Sequence, residues 1–191
     1  GRTGSKPYPS PQPNLIPMTP STSIPQLLVA AGSSGSGKTT FSLGLLRALK
    51  KRGLKVQSFK CGPDYIDPKF HHLASGSSSI NLDLFMMSSA HVRAVYARHT
   101  QTADATVVEG VMGLYDGYVR IHGSSAEVAR TVGIPTVLLV DARSSAYSVG
   151  ALLYGFKHFR QDTEVVGVVF NRVASENHYR FLREAAEDAG V

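Results

Sequence analysis

At 191 residues the chain has the length of one ordinary domain with room for a proper core. Hydrophobic residues make up 42% and charged residues 18%; no apolar run nears the roughly eighteen residues of a membrane span, and the single cysteine, Cys61, excludes an internal disulfide framework and fits a reducing cytoplasm. The net charge is +6, or about +4 without Arg2 and Lys6 of the N-terminal stretch, and no Lys/Arg stripe alternates with aromatics, which speaks against nucleic acid and suits a polyanionic small substrate plus a nucleotide.

Residues 1–25 are rich in Pro, Ser and Thr without apolar periodicity and read as a flexible arm or tag, leaving 26–191 as the folded domain. Leu27–Ala31 reads as a buried strand. It leads into Gly32–Thr40, Gly-Ser-Ser-Gly-Ser-Gly-Lys-Thr-Thr, which fits G-x-x-x-x-G-K-[ST], and a helix is predicted over Phe41–Arg52. That strand–loop–helix context is what a phosphate loop needs. The backbone N–H groups of Gly35, Ser36 and Gly37 turn towards a polyphosphate, Lys38 reaches its terminal phosphates and the Thr39 hydroxyl holds magnesium. Lys50, Lys51 and Arg52 suit the negative end of the helix dipole, and Gly53 ends it.

A second strand over Leu54–Lys60 runs into a loop at Cys61–Phe70, followed by a short helix over Pro68–Ala74 and a small-residue loop at Ser75–Ser79. Ser88 or Ser89 caps a helix through about Thr100, and Thr106–Val108 is the middle of a third strand ending at Glu109. Ser124 or Ser125 caps a helix to Val132. Thr136–Val140 is an apolar strand ending at Asp141, and Ser144 and Ser145 begin a helix reaching Phe159, on which Tyr147 and Tyr154 read as packing residues. Val165–Phe170 is a further strand, and residues 177–189 form a last helix. Short apolar strands alternating with helices predict an α/β fold, a mostly parallel sheet with helices on both faces. Sites in such sheets gather at the carboxyl ends of the strands, and each predicted end is polar: Gly32–Thr40, Lys60–Asp67, Glu109–Asp116, Asp141 and Asn171–Arg172.

Lys60, beside the phosphate loop, can bring a second positive charge to a transferred phosphoryl group. Of Asp64 and Asp67, one can ligate magnesium while the other orients a substrate, although Gly-Pro-Asp also reads as a turn with a capping aspartate. Glu109 ends its strand as acidic metal-site residues do, or as a plain solvated carboxylate does. The glycine-rich loop after it brings backbone amides and Asp116 towards the γ-phosphate. His71 and His72 are adjacent, diverge on a helix, and lack a third ligand at zinc-site spacing.

Lys60-Cys-Gly-Pro-Asp-Tyr-Ile-Asp67 together with Glu109-Gly-Val-Met-Gly-Leu-Tyr-Asp-Gly117 resembles the synthetase domain of the cobyrinic acid a,c-diamide synthase family, from about Leu27 to the end. More distantly the chain is similar to dethiobiotin synthetase, which shares that P-loop NTPase fold. The resemblance implies ATP- and Mg2+-dependent amidation of the a and c acetates of cobyrinic acid or a related tetrapyrrole, through an acyl phosphate, in cobalamin biosynthesis. It implies ATP-loop roles for Lys38, Thr39 and Thr40, and active-site roles for Lys60, Asp64, Asp67, Glu109 and Asp116, with Thr39, Asp64 and Glu109 as metal candidates. Tyr65 and Ile66 match the pair that touches the macrocycle, while Asn171, with Arg172 beside it, sits where related folds recognise adenine. Ammonia comes in this family from a glutamine amidotransferase domain with a nucleophilic cysteine. That domain is not within these 191 residues, and Cys61 reads as a small, partly buried side chain instead. The sequence leaves a homodimer open. The rival readings are a dethiobiotin synthetase-like ligase and a partitioning- or maturation-type ATPase switch. The switch proteins carry an extra loop lysine where this chain has Ser33.

Overall fold

Residues 24–191 are described by a computed structural model. The expected N-terminal arm lies outside them apart from its last two residues, and one of these, Pro25, already accepts a hydrogen bond from the Thr106 N–H at 2.9 Å. The elements are β1 (Gln26–Ala31), α1 (Lys38–Lys51), β2 (Val56–Cys61), α2 (Asp67–Ser75), β3 (Ile80–Leu82), α3 (Ser89–Thr100), β4 (Ala105–Glu109), α4 (Ser125–Val132), β5 (Thr136–Asp141), α5 (Val149–His158), β6 (Val165–Asn171) and α6 (Glu176–Asp188). All strand pairings are parallel, in the order β3-β2-β4-β1-β5-β6.

Two apolar clusters divide the core. Val29, Val56 and Val107 pack with Leu46, Leu45 and Ala74 under α1 and α2. Leu28, Val108 and Leu138 pack with Val92, Val128, Leu153 and Leu182 under α3 to α6. Helices therefore cover both faces, as predicted. Neighbouring strands β1 and β4 send their following helices to opposite faces, which opens a crevice at their carboxyl ends.

Local chemistry sets the helix ends. Ser88, Ser124 and Ser175 each accept a backbone N–H from the third residue onward, and the Glu127 carboxylate reaches back to the Gly123 N–H at 2.6 Å. Three expectations change. The strand β3 is added between α2 and α3, and α5 begins at Val149 rather than at Ser144 or Ser145. After β5 the chain first makes a turn around Asp141, whose carboxylate takes the Arg143 N–H and guanidinium. The Ser145 carbonyl is bound by His178 Nε2, and three successive i→i+3 bonds from Val149, Gly150 and Ala151 lead into the helix. Tyr147 and Tyr154 are more than half exposed rather than packed: Tyr147 bonds Asp188, and Tyr154 lies against His158 at a ring separation of 4.2 Å.

Candidate functional site

Register puts the site together. Val29 pairs with Glu109, Glu109 with Lys60 and Lys60 with Asn81, so these four residues lie side by side across β1, β4, β2 and β3. Paired positions of a parallel sheet share a face, here the one under α1 and α2. Two charged residues in a buried row need partners, and they are each other's: Lys60 Nζ stands 2.8 Å from Glu109 Oε1, with 5% and 0% of their side chains exposed. Helix α2 adds Asp67, whose Oδ2 is 2.7 Å from Lys60 Nζ, and His71, whose Nε2 is 2.6 Å from Glu109 Oε2.

The phosphate loop closes the other side. Gly37 sits at φ 101°, and a Cβ there would come within 2.5 Å of Asn171 Nδ2, so only glycine fits. Asn171 in turn donates to the Ser36 carbonyl at 2.9 Å, and Arg172 lies along the Gly35 carbonyl and pairs with Asp141. Helix α1 starts at Lys38, aiming its positive end into the crevice. Lys38 Nζ donates to the Met112 carbonyl at 2.6 Å and to that of Ser33 at 3.4 Å. Thr39 Oγ1 donates to Glu109 Oε1 at 2.6 Å and lies 3.4 Å from Asp67 Oδ2.

The loop after β4 is laid along β1 by two bonds, Gly110 N–H to Val29 and Leu114 N–H to Ala31, each 2.8 Å. Ser125 both donates to and accepts from the backbone of Val111, and Asp116 accepts the Gly113 N–H at 3.0 Å. The result is a cleft of about 420 Å³ walled by Gly35, Lys38, Thr39, Lys60, Glu109, Met112 and Arg172.

Electrostatics follow from burial and pairing. Burial alone would raise the Glu109 carboxyl, but His71, Lys60 and Thr39 all stabilise its anion and bring it down to about 2. Burial pulls Lys38 below its ordinary value, with Lys60 adding to the effect. Lys60 is also penalised by burial, yet Glu109 and Asp67 more than offset this and raise it. Lys60 is thus a fixed cation.

Lys38, Thr39, Lys60, Asp67 and Glu109 meet around the cleft. Asp64 does not join Thr39: its Oδ1 accepts the Ile66 and Asp67 N–H groups at 2.8 and 3.0 Å, the capping alternative, while Oδ2 stays 3.9 Å from Lys60 Nζ. The carboxylate beside Thr39 belongs to Asp67. Asp116 braces its own loop, and Thr40 lies on the cleft wall. Tyr65 and Ile66 stand on the rim, 78% and 68% exposed. Cys61 is fully buried, and its thiol is pushed up to about 12 by burial.

His71 is the site residue that the sequence reading passed over. Its signal was its place four residues after Asp67 on one helix, which puts both side chains on one face. His72, one residue on, is exposed.

Among the described residues no group of three His, Cys, Asp or Glu side chains is arranged to hold a metal ion by itself. Thr39, Glu109 and Asp67 nevertheless bring three hard oxygens together, the donor type that a divalent cation takes. No helix of the described residues is long and apolar enough to cross a membrane.

The chain is 46% identical over 165 residues to cobyrinate a,c-diamide synthase of Listeria monocytogenes, which covers 85% of this chain and 36% of that protein. The same enzyme of Gloeobacter violaceus is 46% identical, covering 86% and 37%. Hydrogenobyrinate a,c-diamide synthase of Brucella suis is 47% identical, covering 86% and 38%. The chain thus spans 36–38% of the length of these curated relatives. Among solved structures it is similar to the signal recognition particle 54 kDa protein of Aeropyrum pernix, with TM-score 0.59 and 19% identity, covering 90% of this chain and 41% of that one. The hydrogenase maturation factor HypB of Archaeoglobus fulgidus gives 0.53 and 18%, covering 87% and 75%. At that identity the likeness concerns the fold, a P-loop NTPase sheet. The family model described as CobQ/CobB/MinD/ParA nucleotide binding domain matches residues 27–190, and the chain belongs to that family.

Proposed function

We propose that this domain is the ATP-dependent half of a cobyrinate-type a,c-diamide synthase, a carbon–nitrogen ligase that activates carboxylates of a corrin-type macrocycle. The observation that carries the reading is the convergence of Lys38, Lys60, Thr39, Asp67 and Glu109 beside the apolar rim of Tyr65 and Ile66. The similarity to named synthases over 85–86% of the chain supports it.

The chemistry asks for such a site. A carboxylate oxygen of the substrate attacks the γ-phosphorus of ATP, ADP leaves, and an acyl phosphate forms. Two anions must approach, and Lys38 and Lys60 offset their repulsion. Mg2+ would be held by Thr39, Glu109 and Asp67, where it supplies charge neutralisation on the phosphates. Asp64 fixes the loop that presents Tyr65 and Ile66 to the macrocycle. Asn171, with Arg172, lines the side on which the adenine would lie. Neutral ammonia then attacks the acyl carbon, phosphate departs, and Asp116 accepts the proton that the new amide nitrogen loses. Ammonia derives from glutamine in a glutaminase domain elsewhere in the parent protein. Cys61, buried with a raised thiol, is not its nucleophile.

The test is a reconstitution of the full-length parent with ATP, Mg2+, glutamine and cobyrinic acid, read by mass spectrometry. A gain of two amides with release of ADP is expected. ATP hydrolysis that cobyrinic acid does not stimulate, with no amidated product, would point to an ATPase switch instead.

A further inference from the structure

His71 has no role in the scheme above, yet it is 1% exposed and sits against the most buried charge of the site. Its ring spans two elements: Nε2 lies 2.6 Å from Glu109 Oε2 and Nδ1 lies 3.1 Å from Ser79 Oγ. The two oxygens of Glu109 have separate partners. Lys60 and Thr39 both address Oε1, at 2.8 and 2.6 Å, whereas among the described residues His71 is the partner of Oε2. An ionised carboxylate can only accept, so Nε2 carries a proton and donates it to Glu109, while Nδ1 faces the Ser79 hydroxyl. The Ser75 hydroxyl, one turn further on, ties back to the His71 carbonyl at 2.8 Å and stiffens this end of α2.

We propose that His71 is a positioning residue. It holds Oε2 of Glu109 so that Oε1 alone is presented to Thr39 and the nucleotide site, and this fixed presentation sets how tightly the divalent cation is bound there. Without the ring, the Glu109 carboxylate can turn its second oxygen into the Lys60 and Thr39 cluster and lose its single aim. Carboxylates and their hydrogen-bonded histidines form a general pattern in which the outer partner orients the inner one, and loss of the outer partner typically lowers metal affinity by about 10–100-fold. The inference rests on the reading of Glu109 as a metal-facing carboxylate.

The measurement is calorimetric titration of the 191-residue chain with ATP, with and without Mg2+, backed by Mn2+ binding read from its paramagnetic resonance signal. In His71→Leu, ATP affinity without metal is expected to stay within about twofold, while the gain conferred by Mg2+ falls by about tenfold. In His71→Gln, whose amide N–H can still donate to Oε2, most of that gain returns. A full Mg2+ gain in His71→Leu, or no recovery in a folded His71→Gln, overturns the proposal. Should His71→Leu fail to fold, Ser79→Ala decides: it leaves the ring in place but frees its far nitrogen. A two- to threefold drop in the Mg2+ gain is expected there, and no drop overturns the proposal. An absence of Mg2+ gain in the unmodified chain would instead sink the reading of the site itself.

Discussion

Lys60 and Glu109 are register partners of β2 and β4, and their charged ends meet at 2.8 Å at the carboxyl ends of these two interior strands. Neither charge is tolerable there alone. A buried ion whose partner is removed typically costs about 3–5 kcal/mol, so the pair is as much a condition of the fold as of the chemistry. Asp67 gives Lys60 a second anion at 2.7 Å, which leaves Lys60 paired even when Glu109 turns to another cation.

The pair makes stability depend on acid pH. The Glu109 carboxyl titrates near 4.5 when unperturbed and at about 2 here, so between those values the unfolded chain binds the extra proton. Its contribution is fully present above pH 4.5 and is lost as pH falls through 2. Integrating that shift predicts a loss of about 2 kcal/mol between pH 5 and pH 3 from this group alone. Urea unfolding at the two pH values should show a smaller loss in Glu109→Gln than in the unmodified chain. Equal losses would mean that Glu109 is not the depressed acid.

Lys38 is held by the Met112 and Ser33 carbonyls, and under the proposed function a nucleotide's phosphates would replace these partners. Lys38→Ala should therefore lower ATP affinity at least tenfold, in keeping with the roughly 1.5–3 kcal/mol of a charged hydrogen bond, with little change in thermal stability. Fluorescent-nucleotide titration checks it, and an unchanged dissociation constant would remove the phosphate-loop assignment.

Gly37 and Asn171 form a second dependent pair. Gly37→Ala adds both the left-handed strain of about 1–3 kcal/mol and a clash with Asn171 Nδ2, which the added Cβ would meet at 2.5 Å. Removing the amide in Gly37→Ala/Asn171→Ala relieves the clash but not the strain. The double variant should recover part of the lost unfolding free energy, measured by urea denaturation. Additive losses would show that the contact is not what excludes a side chain there.

Much of this was legible because the strands are short apolar runs ending in polar residues, and parallel topology brings those ends together. Glu109 and Lys60 could be named as strand-end residues without knowing that they share a register step. What stayed hidden was set by tertiary contacts. The strand Ile80–Leu82 has three residues, too few for an alternation to declare itself, and exists because β2 offers its edge. The serines after Asp141 look like helix caps, but Asp141 and His178 claim the local backbone and delay α5 to Val149. The adjacency of His71 and His72 masks the more informative spacing, Asp67 one turn before His71 on the same helix.

Tyr65 and Ile66 offer the cleanest separation of stability from substrate recognition. Large apolar side chains at 78% and 68% exposure contribute little to folding, so Tyr65→Ser and Ile66→Ser should shift unfolding free energy by no more than about 0.5 kcal/mol. They lie on the Asp64-capped loop between Lys60 and Asp67, where the proposed function has them meet the macrocycle. Desolvating one such side chain against a ring stabilises binding by about 1.5–3 kcal/mol. In the full-length parent, each variant should raise the KM for cobyrinic acid by about tenfold or more while leaving the KM for ATP unchanged. A rise in both constants would place the defect in the phosphate loop, and a rise in neither would remove this rim from the substrate site.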